Sequence, residues 1–147
     1  MKKRIFTTPI NASKERVWDS LWEDQNYRYW TSVFAECSSA ESDWQEGSKI
    51  LFLDGKGMGM TSKIARKIPY EFMSFQHLGY IKDGVEDFAI AEAKGWAGAL
   101  ENYTLREENG ITTLTVELDN DEEHAGYFQD TFPKALEKVK ELAERQI

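Results

Sequence analysis

Residues 122–147 read EEHAGYFQDTFPKALEKVKELAERQI. Phe128, Phe132, Ala135, Leu136, Val139, Leu142 and Ala143 recur at spacings of three and four. At about 100° per residue they fall within an arc of roughly 120°, the width of a core-facing helical stripe. Asp130, Lys134, Glu137, Glu141 and Glu144 project on the other side, and the pairs Glu141 with Arg145 and Lys140 with Glu144 sit four apart on that solvated side. The pattern predicts one amphipathic helix of about six or seven turns. Such a helix needs a broad apolar surface to lie on, and the rest of the chain reads as a sheet that supplies it.

Immediately upstream, residues 97–107 and 111–119 flank Asn109-Gly110, a hairpin dipeptide between two β-rich runs. In the second run Leu114, Val116 and Leu118 alternate with Thr113, Thr115 and Glu117, one face for the core and one for water. Further strands are predicted at 36–42, 48–54, 58–68 and 70–81, with Glu46-Gly47, Gly55-Lys56-Gly57, Pro69 and Asp83-Gly84 as punctuation. Residues 85–96 are open between loop, strand and helical turn. At the start, residues 2–10 form an edge strand ending near Pro9. Ser13 then caps a helix with Val17, Trp18, Leu21 and Trp22 on its buried face. Asp24 caps a second short helix carrying Tyr27, Trp30, Val33 and Phe34. Consecutive strands joined by tight turns run antiparallel.

The chain has 147 residues and is expected to form a single domain over 1–147, large enough to bury a core without disulfide staples. Cys37 is its only cysteine. The net charge of −8 argues against nucleic acid and anionic membranes as partners. The opening MKKRIFTTPI lacks the apolar run of a signal peptide, and no stretch reaches the length of a membrane span. A cytoplasmic location is expected.

The order strand, two helices, about six strands and long helix resembles the helix-grip fold of the START/Bet v 1-like (SRPBCC) superfamily. The branch it resembles is that of the Hsp90 ATPase activator C-terminal domain. The matching segments are INASKERVWDSL at 10–21, WQEGSKI at 44–50, HLGYIKDGVED at 77–87, WAGALENYTL at 96–105 and YFQDTFPKALEKVKEL at 127–142. The resemblance implies an α+β fold, a curved antiparallel sheet of about six or seven strands around the C-terminal helix. It also implies a cavity between them of the kind relatives use for apolar small molecules. It supplies no catalytic residue.

Such a pocket is mostly apolar with a few placed polar groups. Trp30, Phe34, Met60, Phe75, His77, Trp96, Tyr103, Phe128 and Phe132 are the expected wall, with Met58 and Met60 as an adaptable lip. Phe72 belongs to the same aromatic set. His77 shares a strand face with Met73 and Phe75, so it points inward; it is either a structural hydrogen-bonded histidine or an acid/base group. A buried Glu101 would need a partner such as Arg66 or Arg106. Pro133, inside the long helix, predicts a bend that either opens space under Phe128 and Phe132 or follows the sheet. Asp119, Asp121, Glu122, Glu123 and His124 lack calcium-loop spacing, and Gly55–Gly59 lacks phosphate-loop spacing, so neither metal nor cofactor is expected. The function expected is binding of an apolar or amphipathic small molecule without catalysis. The alternatives are a chaperone-linked interaction module, with chaperone or homodimer contact, and a cyclase- or hydrolase-type enzyme on an aromatic or polyketide-like substrate. The enzyme would need His77, Tyr103 or Glu101 to converge.

Overall fold

The computed structural model describes residues 2–89, 95, 97–120 and 122–145, the side chains of 120 and 122–125 excepted. The predicted wall residue Trp96 and the side chain of His124 therefore lie outside the described residues.

The elements follow in the expected order: β1 (Lys2–Ile10), α1 (Lys14–Trp22), α2 (Asp24–Thr31), β2 (Ser39–Glu41), β3 (Lys49–Leu53), β4 (Gly59–Ile68), β5 (Phe72–Lys82), β6 (Val85–Asp87), β7 (Leu100–Glu108), β8 (Ile111–Asn120) and α3 (Glu122–Glu144). All strand pairs are antiparallel, in one eight-stranded curved sheet of order β1-β8-β7-β5-β4-β3-β2, with β6 added beside β5. β1 is an edge, as Pro9 requires. The ambiguous stretch resolves at its start into β6. Asn109 and Gly110 both take positive φ, 53° and 80°, the turn that matches strand twist in a two-residue hairpin.

Ser13 caps α1 by accepting the Arg16 N–H at 3.2 Å. Ser13→Ala is expected to lower unfolding stability by about 1 kcal/mol, read from urea denaturation. The start of α2 differs from expectation by one residue. Glu23 is the cap position, without a side-chain cap bond, and Asp24 is already helical, where its carboxylate receives the Arg28 guanidinium at 3.0 Å. Val17, Trp18, Leu21, Trp22, Tyr27 and Trp30 are buried from these two helices.

α3 lies across the concave face with Phe132, Ala135, Leu136, Val139 and Ala143 buried. Its C-terminal half is tied down. The Asn11 N–H donates to Glu144 at 2.8 Å, the Tyr29 hydroxyl donates to Glu141 at 3.0 Å, and the Lys138 ammonium sits 4.3 Å from the Tyr29 ring centre. Its N-terminal half meets rings: Phe132 stacks on Phe6 at 5.2 Å and meets Phe34 edge-on at 4.9 Å. The sheet is thus filled at one end of the helix. At the other end the described ring contacts of the helix are with aromatic side chains.

Candidate functional site

That second end holds a cavity of about 410 Å³. Its wall comes from the end of β3 and start of β4, the middle of β5, the start of β7, the end of β8, α2 and the first half of α3. This is the end of the sheet away from the Asn109-Gly110 hairpin. Of the residues expected there, Trp30, Phe34, Met60, His77, Tyr103, Phe128 and Phe132 line the cavity. Phe75 does not. It is 1% exposed and packed between Trp22, Trp44, Phe52 and Tyr103, with ring centres 5.1–6.4 Å away. Strand alternation correctly puts Phe75 and His77 on one face. The aromatic cluster fills the concavity at the level of Phe75, and space opens only two residues further on. Phe72 and Met58 also stay out of the wall.

Tyr27, Phe52, Tyr80 and Tyr127 line the cavity as well. Tyr80 is instructive. By simple alternation from His77 it would face outward. In the β4–β5 register Thr61 pairs with Gly79 and Ser62 with His77, so Leu78 is an extra residue. This bulge reverses the alternation and turns Tyr80 inward. Gly79 is the only local signal. A Cβ there would fall 2.7 Å from the Asp87 carbonyl oxygen, so β6 can lie against β5 only over a glycine. Tyr127 spans the mouth: its hydroxyl donates to the Phe34 carbonyl at 3.2 Å and the side chain stays exposed.

One polar network enters this apolar wall. His77 lies between Ser62 and Glu101, with Nδ1 2.7 Å from the Ser62 hydroxyl and Nε2 3.0 Å from Glu101 Oε1. The Tyr103 hydroxyl donates to Glu101 Oε2. A carboxylate only accepts, so in neutral His77 the proton belongs on Nε2 and the Ser62 hydroxyl donates to Nδ1. The partners of Glu101 are therefore a histidine and a tyrosine. Arg106 instead meets Glu108 at 3.6 Å, and Arg66 makes no bond to Glu101. Sequence spacing could not show this, because Glu101 and His77 meet across the β5–β7 pairing. Burial pushes the Tyr103 phenol well above its ordinary range, and the charge of Glu101 adds to the shift. The Tyr27 phenol is pushed up for the same two reasons. His77, Glu101 and Tyr103 do converge at the cavity wall. Ser62 is 1% exposed and stands behind His77, out of a ligand's reach, so the Ser62–His77–Glu101 series is no nucleophile triad.

Among the described residues no group of His, Cys, Asp or Glu is arranged to hold a metal ion, and no helix is long and apolar enough to cross a membrane. Cys37 is exposed.

The family described as Activator of Hsp90 ATPase homolog 1-like protein matches residues 11–144. Among solved structures, protein MLL2253 from Mesorhizobium loti superposes with a TM-score of 0.76 at 15% identity, over 99% of each chain. The Aha1 dimer from Colwellia psychrerythraea gives 0.72 at 20% identity, over 98% of this chain and 97% of that one. DynU16, from the dynemicin biosynthetic locus, gives 0.71 at 12% identity; 96% of this chain is matched, and the chain spans 46% of that protein's length. At these identities the likeness concerns the fold. No curated protein matches the sequence.

Proposed function

The chain belongs to the Activator of Hsp90 ATPase homolog 1-like family, and from that premise we propose that it binds an apolar or amphipathic small molecule between the sheet and α3, without transforming it. The observation that carries this is the aromatic-walled space of about 410 Å³ beside an otherwise filled core. A chain that has buried Trp30, Phe75 and Tyr103 has apolar side chains to spare for filling a void. Here Phe34, Phe52 and Phe128 are only partly buried around one. That volume falls within the range of small-molecule pockets.

An apolar aromatic ligand at about 100 times its Kd is expected to add about 2.7 kcal/mol. For a chain of this length that raises Tm by roughly 5–11 °C. A set of such compounds that leaves Tm unmoved in differential scanning fluorimetry contradicts the proposal.

The convergence of His77, Glu101 and Tyr103 favours a second reading, a cyclase- or hydrolase-type enzyme using this group for proton transfer. Against it, each of these groups is already engaged by another. The two readings separate on His77→Gln. The binding reading expects ligand affinity within about threefold of wild type, since most residues lining a binding surface carry little of the binding energy. The catalytic reading expects loss of turnover of an aromatic substrate, followed by mass spectrometry.

Chaperone contact and self-association remain proposals of lower rank, supported by the family and by the Colwellia Aha1 dimer. We further take residues 1–147 to be one domain acting in the cytoplasm.

A further inference from the structure

Several donors of the cavity wall are already committed to protein acceptors. The Thr31 hydroxyl donates to the Tyr27 carbonyl at 2.6 Å, the Ser38 hydroxyl to the Ala35 carbonyl at 2.7 Å, and the Trp30 indole to the Leu21 carbonyl at 2.9 Å. His77 and Tyr103 are engaged with Glu101, and Tyr127 with the Phe34 carbonyl. The Tyr27 hydroxyl differs. Tyr27 lines the cavity and is 7% exposed, yet among the described residues its side chain takes part in no hydrogen bond. The described side-chain polar atoms that are sealed from solvent without a partner are Arg4 Nε and Trp22 Nε1, so the Tyr27 oxygen is not walled in and faces open space. The Ser39 hydroxyl is unbonded too, but its residue is half-buried on the edge strand β2, where water reaches it.

Four rings hold Tyr27 in place: Trp22, Trp30, Trp44 and Phe52, with centres 5.4–6.5 Å away. Its hydroxyl is therefore positioned before any ligand arrives. Burial raises the phenol pKa, and the charge of Glu101 adds to the shift, so the group keeps its O–H at neutral pH. A buried donor without an acceptor carries the cost of its desolvation, and an arriving acceptor relieves that cost.

We infer that Tyr27 is the polar anchor of the cavity, and that the ligand carries a carbonyl or ether oxygen on its apolar body to accept the Tyr27 O–H. This rests on the binding reading above and adds one functional group to the ligand. The apolar body takes the space walled by Phe34, Phe128 and Phe132. His77, Glu101 and Tyr103 are bonded to one another, so Tyr27 decides between ligands of one shape with and without that oxygen.

The test pairs acetylnaphthalene with isopropenylnaphthalene, in which a methylene group replaces the carbonyl oxygen at nearly the same shape. Binding of both to wild type and Tyr27→Phe is measured by equilibrium dialysis at neutral pH. The ketone-to-alkene affinity ratio is expected to fall about five- to tenfold in the variant, the worth of one hydrogen bond. Comparing ratios cancels the different hydration of the two compounds. The variant loses a hydroxyl that bonds no described protein group, so it is expected to fold with a Tm within about 4 °C of wild type. In wild type, the carbonyl stretch of bound acetylnaphthalene is expected at lower infrared frequency than in hexane. An unshifted stretch, or the same affinity ratio in both proteins, overturns the assignment to Tyr27 and leaves the cavity reading standing. Failure of both compounds to bind wild type overturns the inference together with the cavity reading.

Discussion

Replacing Phe75 by alanine is expected to cost about 3–5 kcal/mol of stability, the range for a fully buried phenylalanine. Ligand affinity in whatever fraction remains folded is expected to change little. Phe75 is enclosed by Trp22, Trp44, Phe52 and Tyr103 in edge-to-face contacts, so its removal leaves a hole that this ring cluster cannot close. Phe34→Ala is expected to show the converse. Phe34 is only partly buried and meets Phe132 edge-on at 4.9 Å across the wall of a space that is already open. Its loss removes fewer contacts, about 1–2 kcal/mol, while it takes a ring from the ligand's enclosure. Urea denaturation gives the first quantity and calorimetric titration the second. A Phe34→Ala protein that binds as wild type, beside a Phe75→Ala protein that has lost binding, would show that the wall has been drawn in the wrong place.

The second large effect is alkaline. The Tyr27 and Tyr103 phenols are raised in the folded protein, chiefly by burial and further by the charge of Glu101. A raised folded pKa means that the unfolded chain gives up its protons first. The stabilisation is fully present below the unfolded tyrosine value of about 10 and is lost as pH rises above it. Two such groups make stability fall by about 2.7 kcal/mol per pH unit in that window. Tyr27→Phe is expected to halve the slope, to about 1.4 kcal/mol per unit. Equilibrium denaturation between pH 9 and 12, comparing wild type with the variant, measures this directly. Equal slopes would place Tyr27 in contact with water, at odds with its 7% exposure.

The long-range frame was legible because its signals are periodic. The three-and-four spacing from Phe128 to Ala143 specified a helix and its buried stripe. The period-two pattern about Asn109-Gly110 specified a hairpin and its inner face. The site was legible in part for the same reason. Alternation from Met73 placed His77 inward, and the helix stripe placed Phe128 and Phe132 against the sheet. What could not be read depends on where the sheet and helix separate and on how strands are registered. Phe75 and His77 share a face, yet one is core and the other is wall. Tyr80 faces the cavity only because one residue is extra at Leu78. Glu101 meets His77 through pairing of strands more than twenty positions apart, which no spacing rule encodes.

Whether the space between sheet and α3 is a binding site is decided by a two-dimensional NMR titration with the uncharged ligand naphthylmethanol. The indole N–H of Trp30, held on the Leu21 carbonyl at 2.9 Å, supplies an isolated reporter at the wall. Binding in the cavity is expected to shift that resonance together with the amides of His77, Glu101, Phe128 and Phe132, and to leave those of the β7–β8 hairpin turn at Asn109 and Gly110 in place. No shift at saturating ligand, or shifts confined to the outer face of the sheet around Leu51, Ile81 and Val85, would contradict it.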